Sequence, residues 1–278
     1  MEIEALTLSD NEFSQIRDIV RNATGISLAD SKKALVISRL ARRLSELKIH
    51  SFLTYIKRLR ADANEVLFMI NRITTNLTRF YRESGQFAVL REVILPEIMK
   101  SKRERGEDSL RIWSAGCSTG EEVYTILFEL FAYFKGTPPL TPVLKIMGSD
   151  IDTNVLRKAA SGEYTVEELK GLDEDMKSHY FHHVSGDLFQ VKDRFRKYTM
   201  FTKLNLVHDA FKFKNKIDVI FCRNVVIYFD QESKQKVYEK FHSVMNDPGF
   251  LFSGHSENLF RYSNLFKFLK KGVYKKVS

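Results

Sequence analysis

The sequence predicts an α/β protein: a doubly wound, Rossmann-like sheet preceded by an all-helical N-terminal domain. Within 278 residues, which suggests about two domains, residues 10–75 show only the helical spacing of apolar side chains. From about residue 109, short β-rich runs alternate with helical runs, as in a parallel sheet covered by helices. We therefore expect a helical domain at 1–75, a linker and helix at 76–108, and the α/β domain at 109–278.

Four helices are predicted in the first domain. The first has cap candidates at Ser9 and Asp10 and ends at Gly25. The second begins near Asp30, and the segments SFLTYIKRLRA and NEVLFMINRI form the third and fourth. Apolar residues at helical spacing on the second helix predict its buried face: Ile37, Leu40, Leu44 and Leu47.

A basic face lies opposite that buried stripe, formed by Lys32, Arg39, Arg42 and Arg43. Such a face is either simply solvated or steers an acidic partner toward the domain. The net charge of +9 is compatible with nucleic acid, an anionic membrane surface or an acidic protein partner. Charge alone does not choose between them.

The second domain begins with a strand and a helix, LRIWSAG and EEVYTILFELFAYF, followed by the pair VLKIMGSD and TNVLRKAA. Three further strands are predicted in TMFTKLNL, KIDVIFC and PGFLFSG, with the helix DQESKQKVYEKFHSVM before the last. The terminal run FKFLKKGVYKKV predicts an antiparallel hairpin around Lys271 and Gly272 that closes the sheet edge. An insert at about 181–198 predicts a small β-hairpin that turns at Ser185-Gly186-Asp187.

Several protein classes are disfavoured by composition. Apolar runs such as TILFELFAYF are too short to span a bilayer and contain Glu129, and the acidic N-terminus lacks a signal-peptide pattern. The two cysteines, Cys117 and Cys222, lie far apart and show no metal-binding spacing. We therefore expect a cytoplasmic protein without a metal site and without membrane insertion.

Polar loops follow three of the predicted strands: SAGCSTGEE the first, SDIDT the second and CRNVVIYF the fourth. Ligands of doubly wound sheets bind beyond the carboxyl ends of the strands, so these loops predict the binding site. In the first loop, Gly116 and Gly120 do not match GxGxxG, and no lysine completes a P-loop. Neither a dinucleotide nor a nucleoside triphosphate is therefore favoured.

Acidic residues in these loops favour a ligand with hydroxyl groups and positive charge. Glu121 is the predicted ligand residue, whereas Glu122 fits equally well as a complement to the helix dipole. Asp150 is predicted to bind ribose hydroxyls, and Asp152 to cap the next helix. A ribose without a phosphate cradle points to S-adenosylmethionine.

Six motifs, in order after the helical domain, resemble the chemotaxis receptor methyltransferases of the CheR family: NLTRFYRE, WSAGCSTGEEVY, GSDID, LNLV, FCRNVVIYF and SGHSE. The resemblance covers nearly the whole chain. It implies a class I methyltransferase fold and methyl transfer from S-adenosylmethionine to glutamate side chains of chemoreceptor cytoplasmic helices. The products are glutamate methyl esters and S-adenosylhomocysteine.

The resemblance also assigns site residues. It implies catalytic roles for Arg82, which positions the acceptor carboxylate, and for Tyr228, which lies near the transferred methyl. It implies that a further set surrounds the cofactor together with Arg82: Asn76, Thr78, Glu121, Asp150, Asn205, Leu206, Arg223 and Asn224. Two positions depart from the family pattern, with Val123 in place of proline and Tyr81 in place of phenylalanine.

Two other functions compete with this one. A nucleic-acid methyltransferase would show [DN]PP[YF] after the fourth strand or a Pro-Cys nucleophile, and here Phe221 precedes Cys222. A non-catalytic sensor of the cofactor or its product remains an alternative. We expect a monomer that binds no nucleic acid. Some family members dock a receptor C-terminal pentapeptide on the insert, but the short turn here predicts independence from it.

Overall fold

The computed structural model describes residues 7–73, 77–134 and 144–278, and the chain divides into two compact units. The helical unit comprises Met1–Thr75 and Tyr228–Ser233. The α/β unit comprises Asn76–Ile227 and Lys234–Ser278. Within the described ranges, no helix is both long and apolar enough to cross a bilayer.

The helical unit contains the four predicted helices: α1 (Asp10–Thr24), α2 (Lys33–Glu46), α3 (Phe52–Ala61) and α4 (Ala63–Ile73). A capping box begins α1, because the N–H of Ser9 donates to Glu12 Oε2 (2.8 Å) and the N–H of Glu12 donates to Ser9 Oγ (3.3 Å). Gly25, in the left-handed conformation, ends α1 as predicted. A short 3₁₀ turn, Asp30–Lys32, precedes α2.

A buried ion pair in this unit changes the predicted basic face. Arg43 Nη2 and Nε donate to the two carboxylate oxygens of Glu65 (2.7 and 2.9 Å), and the Tyr55 hydroxyl donates to Glu65 Oε1 (2.9 Å). Glu65 is only 2% exposed. The prediction that Arg43 belongs to an exposed face is therefore wrong, because this position borders the buried stripe and its guanidinium neutralises a buried carboxylate. Lys32, Arg39 and Arg42 are exposed.

The α/β unit contains a seven-stranded sheet in the order β6-β2-β1-β7-β8-β10-β9. Its strands are β1 (Arg111–Ala115), β2 (Lys145–Asp150), β6 (Thr199–Lys203), β7 (Ile217–Cys222), β8 (Met245–Ser253), β9 (Phe266–Lys270) and β10 (Val273–Lys276). The first five strands in that order pair in parallel, and β10 pairs antiparallel with both β8 and β9. The parallel sheet and the closing hairpin are thus confirmed.

A second, three-stranded antiparallel sheet has the order β3-β5-β4, with β3 at Glu163–Thr165, β4 at Phe181–Ser185 and β5 at Leu188–Val191. The predicted hairpin is the β4–β5 pair, and Gly186 lies in its turn with φ of 55°. Strand β3 was not predicted. It has three residues, too few to show an alternating pattern, and long-range pairing with β5 defines it.

Helices of this unit are α5 (Gly85–Val89), α6 (Leu95–Glu104), α7 (Glu121–Tyr133), α8 (Thr153–Ser161), α9 (Glu174–Tyr180) and α10 (Asp193–Arg196). A last helix, α11 (Gln231–Val244), precedes β8. A π-helical turn, Leu90–Ile94, joins α5 to α6, and 3₁₀ turns lie at Val226–Tyr228 and Phe260–Tyr262. Many side chains of α7 are buried in the core, so this helix is a rigid support for the loop that precedes it.

Candidate active site

The loops after β1, β2 and β7 lie at one edge of the sheet. Strand β1 pairs in parallel with β2 on one side and with β7 on the other. The carboxyl ends of adjacent parallel strands share an edge, so the three polar loops singled out in the sequence are neighbours. The loops occupy 116–120, 151–152 and 223–225.

The glycines of the first loop serve close packing within the protein. Gly116 and Gly120 have φ of 83° and 96°. A Cβ atom on Gly116 would lie 2.4 Å from Val225 Cγ2, and one on Gly120 would lie 2.8 Å from Ala159 Cβ. The turn therefore needs glycine for its backbone conformation and for its contacts. This explains a glycine pattern that matches neither phosphate-binding motif.

Asp150 connects the first two loops. Its Oδ2 accepts a hydrogen bond from the N–H of Ser118 (2.9 Å), and its Oδ1 accepts one from the N–H of Asp152 (3.0 Å). Burial raises the pKa of Asp150, while these two donors act in the opposite direction. Asp152 accepts the N–H of Asn154 (2.7 Å) at the start of α8, so its predicted capping role is confirmed.

The two glutamates at the start of α7 have different surroundings. Both carboxylate oxygens of Glu121 accept from Thr119 Oγ1 (2.9 and 2.7 Å), and the residue is 3% exposed. Glu122 Oε1 accepts from Ser114 Oγ (2.7 Å), and its Oε2 lies 3.5 Å from Arg223 Nη1. Burial raises the pKa of both carboxyl groups. Glu122 therefore links Ser114 on β1 to Arg223. Glu121 instead bonds to Thr119, in the loop directly before α7.

The segment that carries Arg82 has an unusual backbone. Tyr81 and Glu83, on either side of Arg82, have φ of 52° and 58°. Left-handed conformations of residues other than glycine are costly and concentrate at functional sites. Arg82 Nη1 donates to the carbonyl of Leu77 (2.7 Å), and the carbonyl of Arg82 accepts from Arg223 Nη2. Thr78 is half-buried, and Asn76 lies outside the described residues.

Arg223 is a buried cation between two carboxylates. Its side chain is 2% exposed, and its nitrogens lie 3.6 Å from Glu83 Oε2 and 3.5 Å from Glu122 Oε2. Within the described part of the chain, four buried side-chain atoms at this point have no hydrogen-bond partner: Glu83 Oε2, Arg223 Nε and Nη1, and Asn224 Oδ1. Buried polar atoms are nearly always satisfied, so unmet donors and acceptors together indicate a binding position for a polar ligand.

Glu257, in the SGHSE motif, holds the loop after β7. Its carboxylate accepts from the N–H groups of Asn224 (3.1 Å), Val225 (3.1 Å) and Ile227 (3.3 Å), and from that of Gly254 (2.6 Å). Asn224 has φ of 60°, so this loop too has a left-handed residue that its surroundings must hold. Sequence reasoning missed the role of Glu257, and the only signal was its presence in a quoted motif.

Asn205 and Leu206 lie in the loop after β6, which is bonded to the end of β2 through the Leu204 N–H and the Asp150 carbonyl (3.0 Å). Asn205 Oδ1 accepts the N–H groups of the two residues at 207 and 208 (3.0 and 3.1 Å), which forms a turn. Lys240 Nζ donates to the carbonyls of Leu206 (3.3 Å), Val207 (2.6 Å) and Asp209 (3.0 Å). Lys240, another residue missed in the sequence, thus fastens this loop to α11.

Tyr228 belongs to the helical unit. It ends the 3₁₀ turn Val226–Tyr228, and the residue is 40% exposed. Its carbonyl accepts the N–H of Ser27 (2.7 Å), a hydrogen bond within the helical unit. The catalytic role of Tyr228 stays a prediction.

Comparison with known proteins gives a consistent result along the chain. A family model described as the CheR methyltransferase SAM-binding domain matches residues 76–275, and one described as the CheR methyltransferase all-alpha domain matches residues 11–74. The chemotaxis protein methyltransferase of Escherichia coli (strain K12) is 39% identical over 98% of this chain and 92% of the relative. The chemotaxis protein methyltransferase of Borreliella burgdorferi is 37% identical over 98% of this chain and 96% of the relative.

Proposed function

Because the chain belongs to the CheR methyltransferase family, we propose that it methylates glutamate carboxylates on the cytoplasmic helices of chemoreceptors, with S-adenosylmethionine as methyl donor. One observation carries this proposal. Arg223 contacts both Glu122 and the carbonyl of Arg82, and buried polar atoms at this point have no hydrogen-bond partner within the described residues. The methyl esters formed would adjust receptor signalling in adaptation. The names of the relatives support the chemotactic role.

The unmet atoms fit the amino-acid end of S-adenosylmethionine, which supplies a sulfonium-bound methyl group. An ammonium matches the acceptors Glu83 Oε2 and Asn224 Oδ1, and a carboxylate matches the donors on Arg223. Asp150, fixed by two backbone N–H groups, would accept the ribose hydroxyls. Thr78, Asn205 and Leu206 stay in the proposed set with the residue at position 76. Glu121 also stays in it, and Glu122 is added because it contacts Arg223.

The proposed acceptor needs no general base. A glutamate side chain has an ordinary pKa of roughly 4.3–4.5 and is already an anion at neutral pH. The protein's task is alignment of the carboxylate with the methyl group, and orientation of this kind lowers barriers by roughly 7–11 kcal/mol. Arg82 commits one guanidinium nitrogen to the Leu77 carbonyl. Its remaining N–H groups can hold the acceptor carboxylate in the fork geometry that lysine lacks.

We also propose that the receptor is steered by the exposed cations of the helical unit: Lys32, Arg39 and Arg42. Receptor methylation regions are helical and acidic, which is the complementary charge. The enzyme acts in this proposal as a cytoplasmic monomer, without a metal and without docking a receptor pentapeptide. The tight β4–β5 turn at Gly186 supports the last point.

Transfer of a labelled methyl group tests the function. The protein is incubated with labelled S-adenosylmethionine and a receptor cytoplasmic fragment, and the label should enter the fragment in a form that alkali releases as methanol. A fragment whose acceptor glutamates are replaced by alanine is the control and should remain unlabelled. Alkali-stable label in nucleic acid would instead support the nucleic-acid methyltransferase. Tight binding of S-adenosylhomocysteine without transfer to any receptor fragment would support the sensor.

A further inference from the structure

We propose that Tyr81, Glu129 and Arg91 form a positioning triad that holds Arg82 in its working conformation, which rests on the proposed function of Arg82. The Tyr81 hydroxyl donates to Glu129 Oε1 (3.0 Å), and Arg91 Nη1 donates to Glu129 Oε2 (2.8 Å). None of the three is among the residues assigned to cofactor or acceptor binding. They act through Tyr81, the residue directly before Arg82 in the chain.

Helix α7 is the support from which the triad works. Glu129 lies on α7 four residues after Thr125, whose Oγ1 accepts the backbone N–H of Tyr81 (3.3 Å). Residues four apart share one face of a helix, so a single face of α7 holds both the main chain and the hydroxyl of Tyr81. The same helix begins with Glu121 and Glu122. A rigid element therefore sets the position of the Arg82 segment relative to Glu122.

The backbone around Arg82 needs such support. Left-handed residues other than glycine cost about 1–3 kcal/mol each, and they persist only where surrounding contacts enforce them. Two such residues, Tyr81 and Glu83, lie directly before and directly after Arg82. Phe80 anchors the segment on one side, at 2% exposure against the rings of Phe128 and Tyr164. The Tyr81 hydroxyl is the polar anchor of the same segment, between Phe80 and Arg82.

Glu129 is fitted to this task by its own surroundings. It is 5% exposed, and a carboxylate buried to this degree needs partners. Arg91, on the π-helical turn Leu90–Ile94, supplies the opposite charge, and Tyr81 supplies the second hydrogen bond. Loss of the Tyr81 hydroxyl would leave Glu129 with Arg91 alone, so the fold would survive while the segment loses its polar anchor.

Removal of the hydroxyl from Tyr81 tests the proposal. Tyr81→Phe should lower kcat for receptor methylation about tenfold, because without this hydrogen bond to a charged group the Arg82 segment occupies its working conformation less often. The affinity for S-adenosylhomocysteine, measured by calorimetry, should change less than about twofold. The matched control is Tyr124→Phe, which removes a buried tyrosine hydroxyl that lies on α7 itself and donates to the carbonyl of Ala159 (2.8 Å). The control should lower the melting temperature to a similar extent and leave kcat unchanged.

A double-mutant cycle separates positioning of Arg82 from a general loss of stability. In an Arg82→Lys background, where methylation is slow but measurable, Tyr81→Phe should lower kcat by less than about twofold. An equal loss of kcat in both backgrounds, or wild-type kcat in Tyr81→Phe, would overturn the triad. All rates are compared with wild-type protein on the same receptor fragment. The wild-type rate therefore tests the proposed function, and the ratios test the triad.

Discussion

Each unit of this protein buries a glutamate between an arginine and a tyrosine hydroxyl, and the two triads differ in how completely the glutamate is neutralised. In the helical unit, Glu65 takes two hydrogen bonds from Arg43 and one from Tyr55, and Arg58 lies 3.5 Å away. The arginine and tyrosine come from α2 and α3, and the glutamate from α4, so the triad joins three helices.

In the α/β unit, Glu129 has a single hydrogen-bonded guanidinium, from Arg91, whose side chain is 41% exposed. The consequences for the pKa are opposite. Arg43 lowers the pKa of Glu65 below its ordinary value of 4.5, whereas burial raises the pKa of Glu129 above it. The triad around Glu65, in which the carboxylate has several partners, stabilises the helical bundle. The triad around Glu129, with fewer partners, is suited to hold one loop.

The largest effect should come from Arg82, the residue that the triad of the α/β unit supports. Arg82→Ala should abolish methyl transfer, because the acceptor carboxylate loses its positioning cation. Arg82→Lys should also be poor, since an ammonium lacks the guanidinium fork. A filter assay gives the rate, and circular dichroism should show a folded protein. Near-wild-type turnover of Arg82→Ala would remove Arg82 from the mechanism.

Glu65 should show the contrasting behaviour, a loss of stability. Glu65→Ala should lower the free energy of unfolding by about 3 kcal/mol, because it leaves the Tyr55 hydroxyl buried without a partner and breaks a buried ion pair. Glu46→Ala is the control, since its exposed pairs with Arg42 and Arg43 are worth less than about 1 kcal/mol. Urea titration measures both. Equal losses in the two variants would contradict a special role for the buried triad.

The pH dependence of the free energy of unfolding tests the direction of the pKa shift of Glu65. The folded-state pKa of Glu65 is lowered, so its stabilising contribution is present above the ordinary value of 4.5 and is lost as the pH falls through the folded value. The difference between wild type and Glu65→Gln should therefore shrink on acidification. The folded-state pKa of Glu129 is raised. Its contribution to stability is therefore present below the ordinary value of 4.5 and is lost as the pH rises through the folded-state pKa.

Asp150 and Asp152 repeat the contrast between function and stability within one loop. Asp150→Ala should weaken binding of S-adenosylhomocysteine by about 2 kcal/mol through lost charged hydrogen bonds. Asp152→Ala should mainly lower the stability of α8, by about 1 kcal/mol, because it removes the N-cap. Calorimetric titration and thermal unfolding of both variants separate the roles. An equal loss of affinity in the two would show that the acids are assigned wrongly.

Surface charges of the helical unit should have a smaller effect, confined to the receptor. Reversal of Lys32 and Arg42 to glutamate should raise the apparent KM for the receptor and leave cofactor affinity unchanged. The effect should diminish at high salt, because exposed charges are screened beyond about 10 Å at 0.1 M. Unchanged receptor kinetics at low salt would show that this face is solvent-exposed and does not steer the receptor. Reversal of Arg43 is excluded from the design, since it would break the Glu65 pair.

The smallest expected effect concerns the three-stranded sheet of the α/β unit. A free peptide from a receptor C-terminus should show no binding by calorimetry, because the two residues between β4 and β5 leave little loop for added strand contacts. Deletion of the receptor tail should likewise leave methylation unchanged. Micromolar binding of the peptide would assign receptor docking to this sheet in place of the helical unit.

Features encoded by neighbours in the chain were predictable. Ser9, Glu12 and Gly25 determine the ends of α1 through contacts within a few residues, and the capping aspartate of α8 follows the same logic. The buried strand KIDVIFC was recognisable from its apolar composition, and strand–helix alternation gave the parallel sheet. Because the ends of parallel strands share an edge, the sequence alone also predicted which loops meet.

Tertiary structure decided the features that depend on distant partners. Arg43 looked like a surface cation until its pairing with Glu65, and Tyr81 looked like a minor substitution until its contact with Glu129, a residue 48 positions away. Glu257 gathers backbone N–H groups from a loop about 30 residues earlier. No local pattern reports such contacts, because periodicity describes which face of an element is buried and not which charge it meets there. The sequence determined the frame of the site, and long-range packing decided which polar groups would hold it.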